Sequence, residues 1–201
     1  MITKSKLAID ISKLKGVDKP KIKLEQYVTD SEIAAEILWT AYLNGDIEDK
    51  VIADLGCGNG IFSFGCLKLN AGKVFAVEKD KEALKIAKEN IDNEKCEFVN
   101  SDVKEFDEQV DTVIQNPPYG TRNKHADREF LIKSFEIGKM VYSMHKLSTV
   151  RFVEKIAKDN QFEVVNLLKF KLPLKKSYEF HKSKVKRIEV GCWIFRKQQA
   201  F

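Results

Sequence analysis

The segment Lys50-Val51-Ile52-Ala53-Asp54-Leu55-Gly56-Cys57-Gly58-Asn59-Gly60 decides the fold. Lys50–Leu55 is rich in β-forming side chains and predicts a strand. The three glycines after it predict a tight turn whose backbone a ligand can approach closely. Apolar residues then resume at helical spacing in Ile61–Leu69. A strand, a glycine-rich turn and a helix in this order are typical of the first unit of a nucleotide-binding α/β sheet.

The alternation of strands and helices continues along the chain. Further strands are predicted at Lys73–Glu78, Cys96–Asn100, Val110–Gln115 and Met140–Met144, and helices at Lys81–Ile91, Asp127–Gly138 and from about Ser148 to Asn160. Two β-rich stretches follow with no helix between them, Phe162–Leu172 and Arg187–Arg196, so they predict an antiparallel hairpin. A helix at Ser31–Leu43 precedes the first strand.

These elements predict a single α/β domain over residues 1–201. We expect a Rossmann-like, mostly parallel seven-stranded sheet with helices on both faces and a C-terminal antiparallel hairpin. Residues 1–45 would form an N-terminal extension and the first helix, and residues 46–201 the sheet with its helices.

The composition agrees with one folded domain in a reducing compartment. No apolar run among the 201 residues reaches the roughly 18–20 that a membrane span needs. The lysine-rich Met1–Lys23 lacks the apolar stretch of a signal peptide, so we expect a cytoplasmic protein. The four cysteines have neither CxxC spacing nor a histidine at metal-ligand spacing, so we expect buried thiols and no metal site.

Two acidic side chains near the glycine turn indicate which cofactor it binds. Gly56, Gly58 and Gly60 have the spacing G-x-G-x-G, whereas dinucleotide sites have G-x-G-x-x-G. Asp54, two residues before Gly56, would repel a pyrophosphate but attract the ammonium or sulfonium of S-adenosyl-L-methionine. Glu78 ends the next strand, where a carboxylate can accept hydrogen bonds from both ribose hydroxyls. The pattern therefore favours S-adenosyl-L-methionine over a nicotinamide dinucleotide.

The catalytic candidate is Asn116-Pro117-Pro118-Tyr119, directly after the fourth predicted strand. Ligands bind at the carboxyl ends of strands in open α/β sheets. The Asn116 side chain and the Pro117 carbonyl supply two acceptors that can hold the two hydrogens of an amino group. Such a pair makes the nitrogen lone pair of an aromatic amine available for attack, and Tyr119 offers a flat face on which a base can stack.

A basic stretch near the C-terminus indicates a nucleic-acid partner. Lys169–Arg187 contains eight lysines and arginines against one acid, and the whole chain carries a net charge of +5. Aromatic rings are interleaved with these charges. The residues expected to contact RNA are Lys175, Lys176, Tyr178, Phe180, His181 and Lys182.

The sequence resembles the methyltransferase-like 5 family of class I methyltransferases, which N6-methylate an adenosine in small-subunit ribosomal RNA. Four segments carry the resemblance: Leu24–Thr29 (LEQYVT), Asn116–Thr121 (NPPYGT), Val141–Lys146 (VYSMHK) and Tyr178–Lys182 (YEFHK). Other parts of the chain match in the same order over nearly all of residues 22–195.

The resemblance implies roles for particular residues and a partner. Gln26, Tyr27 and Thr29 would close over the cofactor, Gly56, Asn59 and Ile61 would contact it, Glu78 would hold its ribose, and Asp102 and Val103 its adenine. A small zinc-containing methyltransferase-activator protein pairs with this family along an edge strand, expected here to be Cys96–Asn100.

Three alternatives are also compatible with the sequence. A release-factor glutamine N5-methyltransferase shares the Asn-Pro-Pro-Tyr motif, but such enzymes usually carry a substantial N-terminal helical domain, and only about 45 residues precede the catalytic sheet here. A non-catalytic RNA-binding module of the same fold would not need the intact motif. A dehydrogenase is disfavoured by the glycine spacing.

Overall fold

The computed structural model describes residues 2–17, 29–119, 126–173 and 187–198, and these form seven strands and six α-helices. The strands are β1 (Val51–Leu55), β2 (Lys73–Val77), β3 (Cys96–Val99), β4 (Thr112–Gln115), β5 (Met140–Lys146), β6 (Phe162–Pro173) and β7 (Arg187–Lys197). The α-helices are α1 (Lys4–Ser12), α2 (Ser31–Leu43), α3 (Ile61–Lys68), α4 (Lys81–Asn90), α5 (Ala126–Ile137) and α6 (Val150–Asp159).

All seven strands join one sheet in the order β3-β2-β1-β4-β5-β7-β6. The pairs among β1 to β5 are parallel, whereas β7 runs antiparallel to both β5 and β6. The predicted mostly parallel sheet with a C-terminal antiparallel hairpin is therefore confirmed. Because β1 and β4 are neighbours, the strand order reverses between them, and this is where open α/β sheets bind ligands.

Side chains alternate between the two faces of the sheet along each strand, and helices cover both faces. Ile52 and Ile114 lie in the cluster formed with α1, α2 and α3, and α4 packs on the same face against Ala76. Ala53 and Val113 point to the opposite face, which α5 and α6 cover. We refer to these as the first and the second face of the sheet.

The helices α2 and α4 begin at acidic caps. Asp30 accepts hydrogen bonds from the backbone nitrogens of Glu32 and Ile33, and Asp80 accepts one from Glu82. The Asp30 cap fixes where α2 begins on the first face, directly after Thr29.

Helix α1 was not expected from the sequence, which indicated only an extension ahead of α2. Its apolar side chains Leu7, Ala8 and Ile11 are buried, and Thr3 caps its N-terminus. The helix has only nine residues, so its apolar periodicity is a weak signal by itself. Packing against α2 and α3 stabilises it.

The four cysteines are free and buried, as predicted. None of the helices in the described part of the chain has the length and apolarity that a membrane crossing requires.

Candidate active site

The glycine turn after β1 adopts a backbone that other residues would resist. Gly56, Gly58 and Gly60 have φ values of 70°, 55° and 84°. A Cβ at Gly60 would lie 2.8 Å from Ile91 Cδ1, so this glycine permits close packing on α4. At Gly58 an added Cβ would meet no atom of the described residues within 4 Å. The open side of Gly58 is thus where a ligand can approach the backbone of the turn.

Asp54 ties the end of β1 to the first turn of α3. Its Oδ2 accepts hydrogen bonds from Ser63 N at 2.9 Å and Ser63 Oγ at 2.6 Å. Burial raises the pKa of Asp54 to about 7. The sequence interpretation placed this carboxylate opposite a cofactor cation, whereas the partner that the structure shows is Ser63. Sequence reasoning missed Ser63, because no local pattern links it to Asp54, nine positions earlier.

Glu78 meets the glycine turn from the end of β2. Its Oε2 accepts a hydrogen bond from Gly58 N at 3.1 Å, and its Oε1 accepts one from Asp80 N at 2.8 Å. The residue is 8% exposed, and burial raises the pKa of its carboxyl group. The structure therefore brings together Glu78 and Gly58, two of the residues that the sequence assigned to one cofactor site.

Asn59 takes part in a clamp that sequence reasoning did not find. The side-chain nitrogens of Asn59 and Asn90 both donate to the carbonyl of Lys15 at 3.0 Å. Asn90 also donates to the Asn59 carbonyl at 2.9 Å and accepts from Lys15 N at 2.9 Å. The clamp holds the segment after α1 against the glycine turn. Because the residues of the clamp lie up to 75 positions apart, no local sequence pattern indicates it.

Asp102 and Val103 follow β3 at the same edge of the sheet. Asp102 caps a 3-10 helix, Val103–Glu105, by accepting from Lys104 N at 3.2 Å, and its other carboxylate oxygen lies 3.6 Å from Lys79 Nζ. Val103 is buried in the cluster of the second face. The turn that carries both residues is joined to β2, since Asn100 Nδ2 donates to the Glu78 carbonyl at 2.9 Å.

The catalytic candidate lies at the end of β4, on the first face. Asn116 Nδ2 donates to Thr29 Oγ1 at 3.0 Å, so its amide nitrogen is engaged. Its Oδ1 is buried and has no hydrogen-bond partner among the described residues. Pro117 is buried, and the half-buried Tyr119 packs against the cluster of the first face. Asn116 thus presents an unused acceptor at the carboxyl edge of the sheet.

A second polar cluster lies beneath this motif, on the second face. Gln115 Nε2 donates to Ser143 Oγ at 2.9 Å, and Ser143 Oγ lies 2.7 Å from His145 Nε2. His145 is 1% exposed, and burial lowers its pKa to about 3, so the ring is neutral. Sequence reasoning assigned no role to these residues. The period of two along β5 could have placed Ser143 and His145 on one face.

Several predicted site residues fall outside the described part of the chain. They are Gln26 and Tyr27 of the cofactor set and the whole RNA set, Lys175, Lys176, Tyr178, Phe180, His181 and Lys182.

Comparison with known proteins agrees with the fold. Residues 29–137 match the model of the Methyltransferase small domain family. The rRNA N6-adenosine-methyltransferase METTL5 of Danio rerio is 39% identical over 90% of this chain and 92% of its own, and the Drosophila melanogaster relative of the same name is 35% identical over 90% of each. A solved structure of a candidate RNA methyltransferase from Pyrococcus horikoshii is 47% identical, covers 98% of both chains and superposes with a TM-score of 0.91.

The sheet order, the glycine turn with Glu78 beside it and the motif after β4 define a class I methyltransferase. More narrowly, the chain belongs to the METTL5 family, to which these two animal relatives belong. The resemblance drawn from the sequence motifs is thereby confirmed.

Proposed function

We propose that this protein transfers a methyl group from S-adenosyl-L-methionine to the N6 amine of an adenosine in RNA, and that the RNA is that of the small ribosomal subunit. The animal relatives are named for this reaction on ribosomal RNA. The observation that carries the proposal is Asn116 Oδ1, a buried acceptor with no partner among the described residues. A ribosomal substrate would place the enzyme in the cytoplasm.

The residues present fit the cofactor. Gly58 leaves open space beside its backbone, and Glu78 holds a carboxylate against the same residue. These two would hold the cofactor together with Gly56, Asn59, Gly60, Ile61, Asp102 and Val103. When bound, S-adenosyl-L-methionine supplies an electrophilic methyl group on a positively charged sulfur. The pKa of Asp54 is raised to about 7, and a cofactor cation bound nearby would favour the ionised form of its carboxyl group.

The chain's own chemistry lies in how it presents the amine. The lone pair of an adenine amine is delocalised into the ring and is a poor nucleophile. Asn116 Oδ1 and the Pro117 carbonyl would each accept one amine hydrogen and so favour the tetrahedral nitrogen. Pro118 has no N–H to compete for these acceptors. Tyr119 would stack on the base and fix its plane, so positioning supplies much of the rate.

Methyl transfer to candidate substrates tests the proposal. Small ribosomal subunits, large subunits and release-factor protein would be incubated separately with cofactor labelled in its methyl group, using the wild-type chain and Asn116→Ala. We expect label in small-subunit RNA alone, as N6-methyladenosine, and none with Asn116→Ala. Label in release-factor glutamine would replace the RNA assignment by the glutamine alternative. No label in any substrate, with intact cofactor binding, would support a non-catalytic RNA-binding module.

The RNA-docking role of the basic stretch is part of the same proposal. Lys169 and Lys171 of β6 are exposed, and they lead into the predicted RNA residues. Reversing the charges of Lys175, Lys176 and Lys182 together should weaken RNA binding and flatten its salt dependence. An unchanged slope would remove the stretch from the docking surface.

A protein partner at β3 is a further part of the proposal. The strand pairs only with β2 among the described strands, so its other side is an edge. Phe98 and Val99 are half-buried apolar residues on it, and Lys88 Nζ lies 5.7 Å from the Phe98 ring centroid. We propose that the small zinc-containing activator of the family adds a strand here.

Association measurements decide the partner proposal. Phe98→Lys and Val99→Lys should abolish co-purification with the activator while leaving cofactor affinity unchanged. The control is Glu97→Ala, because Glu97 is an exposed residue of β3 that forms an ion pair with Lys73 of the neighbouring β2. A purified chain that is monomeric, active on RNA alone and unaffected by added activator would contradict it.

A further inference from the structure

Lys146 is the last residue of β5, at the carboxyl edge of the sheet where the catalytic motif lies. Side chains alternate along a strand, and Tyr142 and Met144 of β5 are buried in the cluster of the first face. Lys146 therefore belongs to that face as well. Its partner across the ladder is Val190 of β7, a member of the same cluster.

The ammonium group of Lys146 lies beside the tyrosine of the motif. Nζ is 5.8 Å from the centroid of the Tyr119 ring, within the range of a cation–π contact. The backbone here is held, since Thr149 Oγ1 donates to the Lys146 carbonyl at 2.8 Å. The positive charge of Lys146 therefore lies at the end of β5, next to the Tyr119 ring on which the base would stack, and the backbone that carries it is held in place.

Lys146 has no carboxylate within ion-pair distance among the described residues. Other lysines of the chain do have one: Lys133 contacts Asp107 at 2.7 Å, and Lys155 contacts Asp159 at 2.6 Å. A half-buried cation with no acid partner in the described part of the chain, next to the catalytic motif, would attract an anionic group of the substrate.

We propose that Lys146 binds a backbone phosphate next to the base that Tyr119 stacks. Only a sugar separates a base from its phosphate, so a cation beside the stacking ring is within reach of that group. The contact would position the target nucleotide without reading its sequence. This inference rests on the proposed RNA substrate and names one group that holds it.

The test measures RNA affinity against salt concentration for the wild type, Lys146→Gln, Lys146→Arg and the control Lys155→Gln. Lys155 lies on α6, on the second face of the sheet, and the control substitution removes the same single positive charge at a site away from the motif. Removing one phosphate contact from a single-stranded or a duplex site should reduce the slope of log K against log salt by about 0.7–0.9, and so weaken binding about five- to eightfold at 0.1 M salt. Lys146→Arg should keep the wild-type slope, and Lys155→Gln should match the wild type.

Cofactor affinity of Lys146→Gln, measured in parallel, should equal that of the wild type and shows that the variant is folded. A wild-type slope in Lys146→Gln overturns the proposal, also if turnover falls, because Lys146 would then act only through the Tyr119 ring. Equal slope changes in Lys146→Gln and Lys155→Gln overturn it too, since they would report net charge alone. A wild-type chain that methylates no RNA, in contrast, removes the proposed function itself.

Discussion

Asn116 and Thr29 are joined by a hydrogen bond of 3.0 Å, donated by the Asn116 side-chain nitrogen to the Thr29 hydroxyl oxygen, although they lie 87 positions apart. Thr29 is 7% exposed and directly precedes Asp30, the N-cap of α2. The bond engages the nitrogen of the amide and leaves its oxygen as the acceptor. The start of α2 therefore sets which end of the Asn116 amide faces the site.

The first prediction concerns this orientation. Thr29→Val keeps the shape of the side chain but removes the hydroxyl, so the Asn116 amide loses its fixed direction. We expect kcat to fall about tenfold, corresponding to roughly 1–1.5 kcal/mol, and Thr29→Ser to restore most of it. Single-turnover methylation with saturating cofactor measures the effect. If cofactor affinity falls as much as kcat, Thr29 contacts the cofactor instead, as the family resemblance implies.

The second prediction concerns Glu78. Glu78→Ala removes a buried carboxylate that accepts hydrogen bonds from Gly58 N and Asp80 N. We expect the affinity for S-adenosyl-L-methionine and for its demethylated product to fall by roughly 1–3 kcal/mol. Calorimetry with both ligands and with NAD measures this, and Glu97→Ala is the matched surface control. Binding of NAD without binding of S-adenosyl-L-methionine would contradict the cofactor assignment.

The third prediction separates chemistry from cofactor binding. Asn116→Ala removes one of the two amine acceptors and should lower kcat by about 100-fold or more, with cofactor affinity nearly intact. Tyr119→Ala should cost about 1–3 kcal/mol of base stacking, whereas Tyr119→Phe should be mild. Parallel measurement of kcat and cofactor affinity checks all three variants. Equal losses of both in Asn116→Ala would show that the residue is structural.

The fourth prediction is a pH dependence of stability that arises from His145. Burial lowers its pKa from 6.5 to about 3, so between these values the unfolded chain binds a proton that the native chain does not. The contribution of His145 to the free energy of unfolding is therefore largest above pH 6.5. It decreases as the pH falls, by about 2 kcal/mol between pH 6.5 and 5. Asp54, whose pKa is raised to about 7, acts in the opposite direction over pH 3.8–7.

Comparison with His145→Gln isolates the histidine, because the Asp54 effect is common to both proteins. Urea unfolding at several pH values should show a smaller stability loss toward pH 5 in the variant than in the wild type. Parallel curves for the two proteins would mean that His145 does not titrate in this way.

The fifth prediction concerns the clamp on the glycine turn. Asn90→Ala removes its hydrogen bonds with Lys15 and Asn59, so we expect a stability loss of roughly 1–3 kcal/mol and weaker cofactor binding. Asn93→Ala is the control, because the hydrogen bond that the Asn93 side chain makes with the described residues is a local one, accepted from Lys95 N. Thermal unfolding and calorimetry measure the two effects. A stable variant with unchanged affinity would show that the clamp does not shape the turn.

Much of the fold was predictable because its signals are local. The strand before Gly56, the helix after Gly60 and the return of this pattern along the chain each depend on neighbouring residues. Helix α1 was missed because its short apolar stripe becomes stable only against α2 and α3. The proximity of Glu78 to the glycine turn could be predicted, since parallel neighbouring strands end at the same edge of a sheet.

The sequence by itself determined the class of fold, the glycine turn, the order of the acidic residues around it and the motif at Asn116, because periodicity and spacing record them. Only the tertiary structure decided which groups these residues bind: Ser63 for Asp54, Thr29 for Asn116, and Lys15 for Asn59. These partners come from different elements, and the direction of a hydrogen bond depends on how the helices pack on the sheet. The same reason places Lys146 beside Tyr119, a contact that no spacing along the chain records.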